Sequence, residues 1–134
     1  MRKLRICIGS NDSENIARSH MGDTKNFHIC EIDDASGIKM IETRENNAKD
    51  LDHSTEGKMK KILEIVSDTD ILVAWQMSQN FLNISKKTRF QPVIVKAEKI
   101  EDVLKVLQRV YKQLEELVDK RKEGFFSKEV PEFD

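Results

Sequence analysis

Residues that cross-link a chain or favour turns are scarce in this sequence of 134 residues, which has two cysteines, two prolines and five glycines. Two cysteines cannot build the disulfide framework of a small secreted domain, so they favour a reduced, cytoplasmic protein. No apolar run approaches the ~20 residues that cross a bilayer, and the N-terminus lacks the apolar core of a signal peptide. The sequence therefore predicts neither a membrane segment nor an exported protein.

An excess of charge of one sign is also missing. Lys and Arg number 23 and Asp and Glu number 24, which gives a formal net charge of -1. Proteins that bind nucleic acid by neutralising phosphates usually carry a basic excess, so no nucleic-acid partner is predicted. The length suits one domain with its own core, which we place at residues 1–123, followed by a C-terminal tail at residues 124–134.

Hydrophobic periodicity predicts alternating strands and helices. Apolar residues at every second position predict a strand at 3–8 and a hairpin at 27–33 and 38–43, and continuous apolar runs predict buried strands at 71–75 and 92–95. Apolar residues at helical spacing predict three helices. The first covers residues 57–67, the second is short and begins directly after Ser78, and the third is continuous over residues 100–122. We expect one mixed sheet with helices on its faces, in which the later strands are parallel.

The last predicted helix is long for so small a domain. We therefore expect its final turns to project or to pack on another subunit, which would give a homodimer. The phenylalanine-rich tail that follows could dock on a partner groove or fold back over its own core, but a partly disordered terminus is the default expectation.

Motifs for catalysis are missing. The sequence has no Walker A motif, no G-x-G-x-x-G and no G-x-S-x-G, so we predict that the protein is not an enzyme. Metal donors are few and no C-x-x-C pair occurs; besides the methionines, the soft or imidazole donors are Cys7, Cys30, His20, His28 and His53.

Two readings stay open for these donors. Cys7 and Cys30 fall in predicted strands, where they could be small buried hydrophobic residues. His20 and His53 fall in long loops beside strand ends, where binding residues are frequent. Together with a methionine they could hold a soft metal group, or they could be solvated loop residues.

The segment from Ser19 to Phe27 is similar to a motif of the dinitrogenase iron–molybdenum cofactor biosynthesis family, Ser-x-His-Phe-Gly-Arg-Ala-x-x-Phe. His20, Gly22 and Phe27 match, Ser19 is shifted by one position, and Met21 replaces the phenylalanine. Downstream, a loop with His53 precedes a helix and a buried strand, as in the family. The next turn has Ser78 where the family has a glycine-rich segment. The resemblance covers about residues 3–108.

This resemblance implies a three-layer α/β/α fold of the ribonuclease-H-like type, with a mixed sheet of about five strands. It also implies a non-enzymatic carrier or accessory protein that binds an iron–sulfur or iron–molybdenum cluster or precursor and works with cluster-biosynthesis proteins. The implied binding residues are His20, Met21, Gly22, His53 and Ser78, with His20, His53 and Cys30 as metal ligands. The alternative is a protein-interaction or regulatory module that keeps the fold without the cluster, as the altered turn, the long helix and the tail suggest.

Overall fold

The computed structural model describes residues 3–12, 14–18, 21–33, 37–48, 56–126 and 129–134. Its strands are β1 (Leu4–Ser10), β2 (Asn26–Asp33), β3 (Gly37–Glu45), β4 (Ile71–Ala74), β5 (Gln91–Val95) and β6 (Glu132–Phe133). Its helices are α1 (Glu56–Ile65), α2 (Gln79–Lys87), α3 (Ile100–Arg109) and α4 (Tyr111–Lys122), and a 3-10 helix spans Met21–Asp23. In the part of the chain described, no helix is long and apolar enough to cross a bilayer.

The strands form one mixed sheet in the order β3-β2-β1-β4-β5-β6. β1 has a neighbour on each side: Ile6 lies opposite Cys30 of the antiparallel β2 and opposite Ile71 of the parallel β4. β4, β5 and β6 continue the parallel half. The predicted mixed sheet with a parallel later half is confirmed, with six strands where about five were expected.

The outer strand β3 is irregular. Ile29 of β2 pairs with Glu42 and Cys30 pairs with Met40, so Ile41 is an extra residue that forms a β-bulge. Met40 and Ile41 are both exposed at this edge of the sheet.

Helices cover both faces of the sheet, as the three-layer prediction requires. Alternate residues of β1 show the division: Ile6 belongs to the cluster under α3 and α4, whereas Cys7 belongs to the cluster under α1 and α2. This α/β/α arrangement confirms the predicted fold class.

The single long helix predicted over 100–122 is wrong in one respect, because it is interrupted at Val110, which separates α3 from α4. The apolar spacing continues across this interruption, with Leu107, Val110 and Leu114 all buried in the same cluster, so periodicity could not reveal it. The final turns do not project: Val118 and Arg121 are buried against the same chain. The homodimer was predicted from a projecting end of this helix, and the structure has no such projection in the residues that it describes.

The C-terminal tail folds back onto the sheet, which was the less expected of its predicted arrangements. The backbone N–H of Ile94 donates to Pro131 O at 2.8 Å and that of Lys96 donates to Phe133 O at 3.0 Å. Val130 packs in the cluster under α1 and α2, and Phe133 packs on the cluster under α3 and α4. The tail therefore contacts both faces of the sheet at this edge.

A buried guanidinium joins α4 to the end of α2. Arg121 is only 4% exposed, and it donates to the carbonyl oxygens of Ile84 at 3.2 Å and Ser85 at 2.8 Å, and to that of Thr88. These carbonyls form the last turn of α2, where the helix dipole favours a cation. Burial holds the pKa of Arg121 below its ordinary value.

Arg121→Met should lower the free energy of unfolding by about 2–3 kcal/mol, because buried carbonyl oxygens would lose their donor. Arg121→Lys should be intermediate, since an ammonium group cannot reproduce the guanidinium fork. Urea denaturation followed by circular dichroism measures both, with Lys122→Met, at an exposed neighbour, as the control. Equal midpoints for Arg121→Met and Lys122→Met would contradict this role.

An ion-pair network connects the sheet to the loop that follows α1. Arg44 donates to both carboxylate oxygens of Asp68, at 2.6 and 2.8 Å, and Arg5 donates to the same carboxylate at 2.6 Å. Arg44 holds the pKa of Asp68 at about 2, below its ordinary value of 3.8.

Asp68→Asn should therefore reduce stability at neutral pH by about 1 kcal/mol, the scale of partly exposed ion pairs. The contribution of Asp68 is present above pH 3.8 and is lost as the pH falls through about 2. Urea midpoints of the wild type and the variant should converge over that interval. Glu64→Gln, which changes an exposed carboxylate on α1, should show no such convergence; a difference for Asp68→Asn that is constant with pH would argue against the network.

Candidate functional site

The carboxyl ends of three parallel strands meet at one edge of the sheet. β1 ends at Ser10, β4 at Ala74 and β5 at Val95. The chain leaves β1 towards β2 but leaves β4 towards β5 on the other side, so the strand order reverses between β1 and β4. Open α/β sheets bind ligands at such a reversal, outside the carboxyl ends of the strands. We take this edge as the candidate site.

The loop after β1 is held by its own polar groups. Ser10 Oγ lies 2.5 Å from the carbonyl oxygens of Asp12 and Asn15. The Asp12 carboxylate accepts from the backbone N–H groups of Glu14 at 2.7 Å and Asn15 at 2.8 Å, which lowers its pKa. The described part of this loop is therefore a formed turn.

The same loop is tied to the connection between β5 and α3. Ile16 donates its backbone N–H to Glu98 O at 3.0 Å, and Ile100 donates to Glu14 O at 2.8 Å. The segments that follow β1 and β5 thus form one continuous rim beside the reversal.

The 3-10 helix Met21–Asp23 packs directly on β1. A Cβ added to Gly9 would lie 3.0 Å from Met21 Cγ and 3.0 Å from Thr24 Cγ2, so any larger residue at this position would crowd these two side chains. Met21 is 5% exposed, and its side chain belongs to the core cluster under α1 and α2. The structure therefore places Met21 as a packing residue beside the site.

A buried ion pair joins the 3-10 helix to α1. Lys58 Nζ donates to Asp23 Oδ1 at 2.7 Å, and the Lys58 side chain is only 4% exposed. Asp23 follows the segment that contains His20, and Lys58 follows the segment that contains His53. The ion pair thus connects the two parts of the chain that adjoin the predicted histidines.

The predicted ligands fall in different environments. His20 and His53 lie outside the described residues, and Gly22 is the middle residue of the 3-10 helix. Ser78 begins α2 at the carboxyl end of β4, and its hydroxyl accepts from the backbone N–H of Phe81 at 3.1 Å. Its φ of -143° is extended backbone, so the turn does not need a glycine at this position.

Neither cysteine reaches the site edge. Cys7 and Cys30 are fully buried on opposite faces of the sheet. Burial raises the pKa of Cys30 to about 11 and also raises that of Cys7. Since a thiol binds metal as its thiolate, the placement of Cys30 gives no support to its predicted role as a ligand. Both cysteines fit the alternative reading as small core residues.

The only described histidine has both ring nitrogens occupied. His28 is 3% exposed; its Nε2 lies 3.0 Å from Asp12 O and its Nδ1 lies 2.8 Å from Thr43 Oγ1. A carbonyl oxygen accepts but cannot donate, so Nε2 carries the hydrogen. Among the residues whose placement is given, no three His, Cys, Asp or Glu side chains are grouped to hold a metal ion.

Comparison with known proteins adds the family. A sequence model of the dinitrogenase iron-molybdenum cofactor family matches residues 2–110. The chain belongs to this family. A search of curated proteins found no significant match.

Membership in the dinitrogenase iron-molybdenum cofactor family links the chain to the handling of that cofactor. The matched residues include every strand of the sheet except β6, and they include the whole candidate edge. α4 and the returning tail lie beyond the matched residues.

Three further residues at this edge were not among the predicted site residues. Trp75 directly follows β4, Lys96 directly follows β5, and Arg18 lies in the loop after β1. The guanidinium carbon of Arg18 is 5.0 Å from the centre of the Trp75 ring, and Lys96 Nζ is 3.9 Å from it. The available signal was position alone, since Trp75 ends a predicted strand, Lys96 directly follows another, and Arg18 lies in the loop after the first.

Gly9→Ala should destabilise the protein by about 1–3 kcal/mol, because the new methyl group would crowd the buried side chains of Met21 and Thr24. Gly57→Ala is the matched control, since a Cβ at Gly57 meets no atom within 4 Å. Thermal unfolding of both variants checks the expectation. Equal stability of the two alanine variants would show that the close approach is not a constraint.

Proposed function

We propose that this protein is a non-enzymatic carrier or accessory protein that binds an iron–sulfur or iron–molybdenum cluster, or a precursor of one, at the carboxyl edge of its sheet. The observation that carries the proposal is the ion pair between Asp23 and Lys58 at this edge. Its two residues, Asp23 and Lys58, follow His20 and His53 in the sequence by three and five positions. Family membership supplies the class of cargo.

The donor set supports histidine ligation. Thiolates are the usual ligands of iron–sulfur clusters, but both cysteines are buried with raised pKa values. His28 is committed to Asp12 and Thr43. Imidazole binds iron well, so His20 and His53 are the side chains that we assign to the cargo.

Backbone and charge complete the site. α2 begins at this edge, with Ser78 as its N-cap, and a helix N-terminus favours negative charge. Met21, which directly follows His20 in the sequence, packs closely against Gly9 of β1. Metal–sulfide clusters are commonly anionic, so these features suit retention of the cargo without chemical change.

Anaerobic reconstitution with iron and sulfide should give the wild-type protein a visible chromophore that remains bound during gel filtration. His20→Ala should weaken retention by about 10-fold or more, since even groups that only support a metal ligand contribute on that scale. Cys30→Ala should keep the chromophore, because this thiol lies in the core. Iron per protein and the visible spectrum are the measurements.

A colourless wild-type protein would defeat this proposal and favour the alternative, a module for protein interaction that has lost the cluster. That alternative has one structural feature in its favour: Phe125 is 67% exposed and Phe126 is 43% exposed, in the part of the chain beyond the family match. Loss of colour in Cys30→Ala but not in His20→Ala would reverse the assignment of ligands.

A further inference from the structure

Three side chains that come after three neighbouring parallel strands form a cluster at the site edge. Arg18, Trp75 and Lys96 follow β1, β4 and β5, and the two cations lie against the same indole ring. We name these three residues the cationic cluster. They are distant in sequence, and only the strand order brings them together.

Backbone hydrogen bonds hold the chain next to both cations of the cluster. Ala17, next to Arg18, donates its N–H to Gly9 O at 3.0 Å, and Lys96 donates its N–H to Phe133 O at 3.0 Å. Trp75 is half-buried and packs on the core under α3 and α4. The ring is therefore a rigid support that restricts where the two flexible cations lie.

The cluster keeps positive charge that is available to a ligand. The face of an aromatic ring attracts a cation without neutralising it. Arg18 also pairs with Glu98 at 2.7 Å, but both side chains of that pair are more than 60% exposed, where such a pair is weak. Lys96 is exposed as well. With Glu98 counted, the cluster has one net positive charge.

From this geometry we propose that the cationic cluster is the part of the site that recognises the negative charge of a metal–sulfide cargo. This rests on the proposed function and deepens it, because it assigns charge recognition to Arg18 and Lys96 and ligation to other residues. Trp75 is the positioning residue that holds both cations at the edge. The ligand class is a multivalent anion with sulfide at its surface.

Tetrathiomolybdate, a stable sulfide dianion, is the probe. Trp75 is the only tryptophan in the chain, so its fluorescence reports on the cluster alone. Saturable quenching is expected, corrected with free N-acetyltryptophanamide for absorption by the probe, and equilibrium dialysis of molybdenum provides a second readout. The apparent Kd should increase with salt, as expected for attraction between exposed charges.

Arg18→Gln with Lys96→Gln should raise that Kd by about 10-fold, since two cations next to a dianion are removed. The charge-matched control is Lys86→Gln with Lys105→Gln, at exposed lysines on α2 and α3, which should bind as the wild type does. The inference is overturned if both double variants bind equally, if the wild type shows no saturable quenching, or if molybdate and sulfate bind as tightly as the sulfide anion.

Failure of this inference is distinguishable from failure of the proposed function. If the wild type retains a reconstituted chromophore and Arg18→Gln with Lys96→Gln retains it equally well, the carrier function stands and the charge-recognition role is wrong. If the wild type stays colourless in reconstitution, the carrier function itself is wrong, whatever the fluorescence of Trp75 shows.

Discussion

The pairing of β1 on both sides is the constraint on which the rest of the structure depends. Ile6 is opposite Cys30 in one direction and opposite Ile71 in the other, so β1 joins the antiparallel half of the sheet to the parallel half. Because β1, β3, β4 and β5 all run in the same direction, the segments that leave them emerge together. The pairing of β1 thus places the segments that follow β1, β3, β4 and β5 at the same edge of the sheet.

The same alternation separates the two chemical roles in the chain. Along β1 and β2 the buried apolar residues face one helical layer or the other, and both cysteine side chains pack in these layers. The side chains that can contact a ligand lie in the segments that connect strands to helices, as Arg18, Trp75 and Lys96 do. A stable sheet and an exposed site are built from different parts of the sequence.

Local pattern was sufficient for most of the fold. Alternation of apolar residues located β1 and the hairpin, and helical spacing located α1 and α3, because burial of one face leaves a periodic trace. It could not locate the interruption at Val110, where the buried stripe continues unbroken. It also could not locate β6, whose two residues are held mainly by backbone hydrogen bonds to β5 that leave no apolar period.

The site was predictable only where a motif was contiguous. The segment around His20 could be compared with a family because its residues are neighbours in the chain. The cationic cluster could not, since Arg18, Trp75 and Lys96 become neighbours only after three strands take their order in the sheet. The close contact of Gly9 with Met21 likewise depends on how a later turn folds back over β1.

The bulge at Ile41 has a consequence for how molecules of this protein meet one another. β3 is the long open edge of the sheet, and a regular edge strand can pair with the same strand of another molecule. The extra residue at Ile41 interrupts the spacing of the outward-facing N–H and C=O groups, so a second strand cannot stay in register along it. At high concentration the irregular strand therefore opposes fibre-like assembly, although Met40 and Ile41 lie exposed beside it.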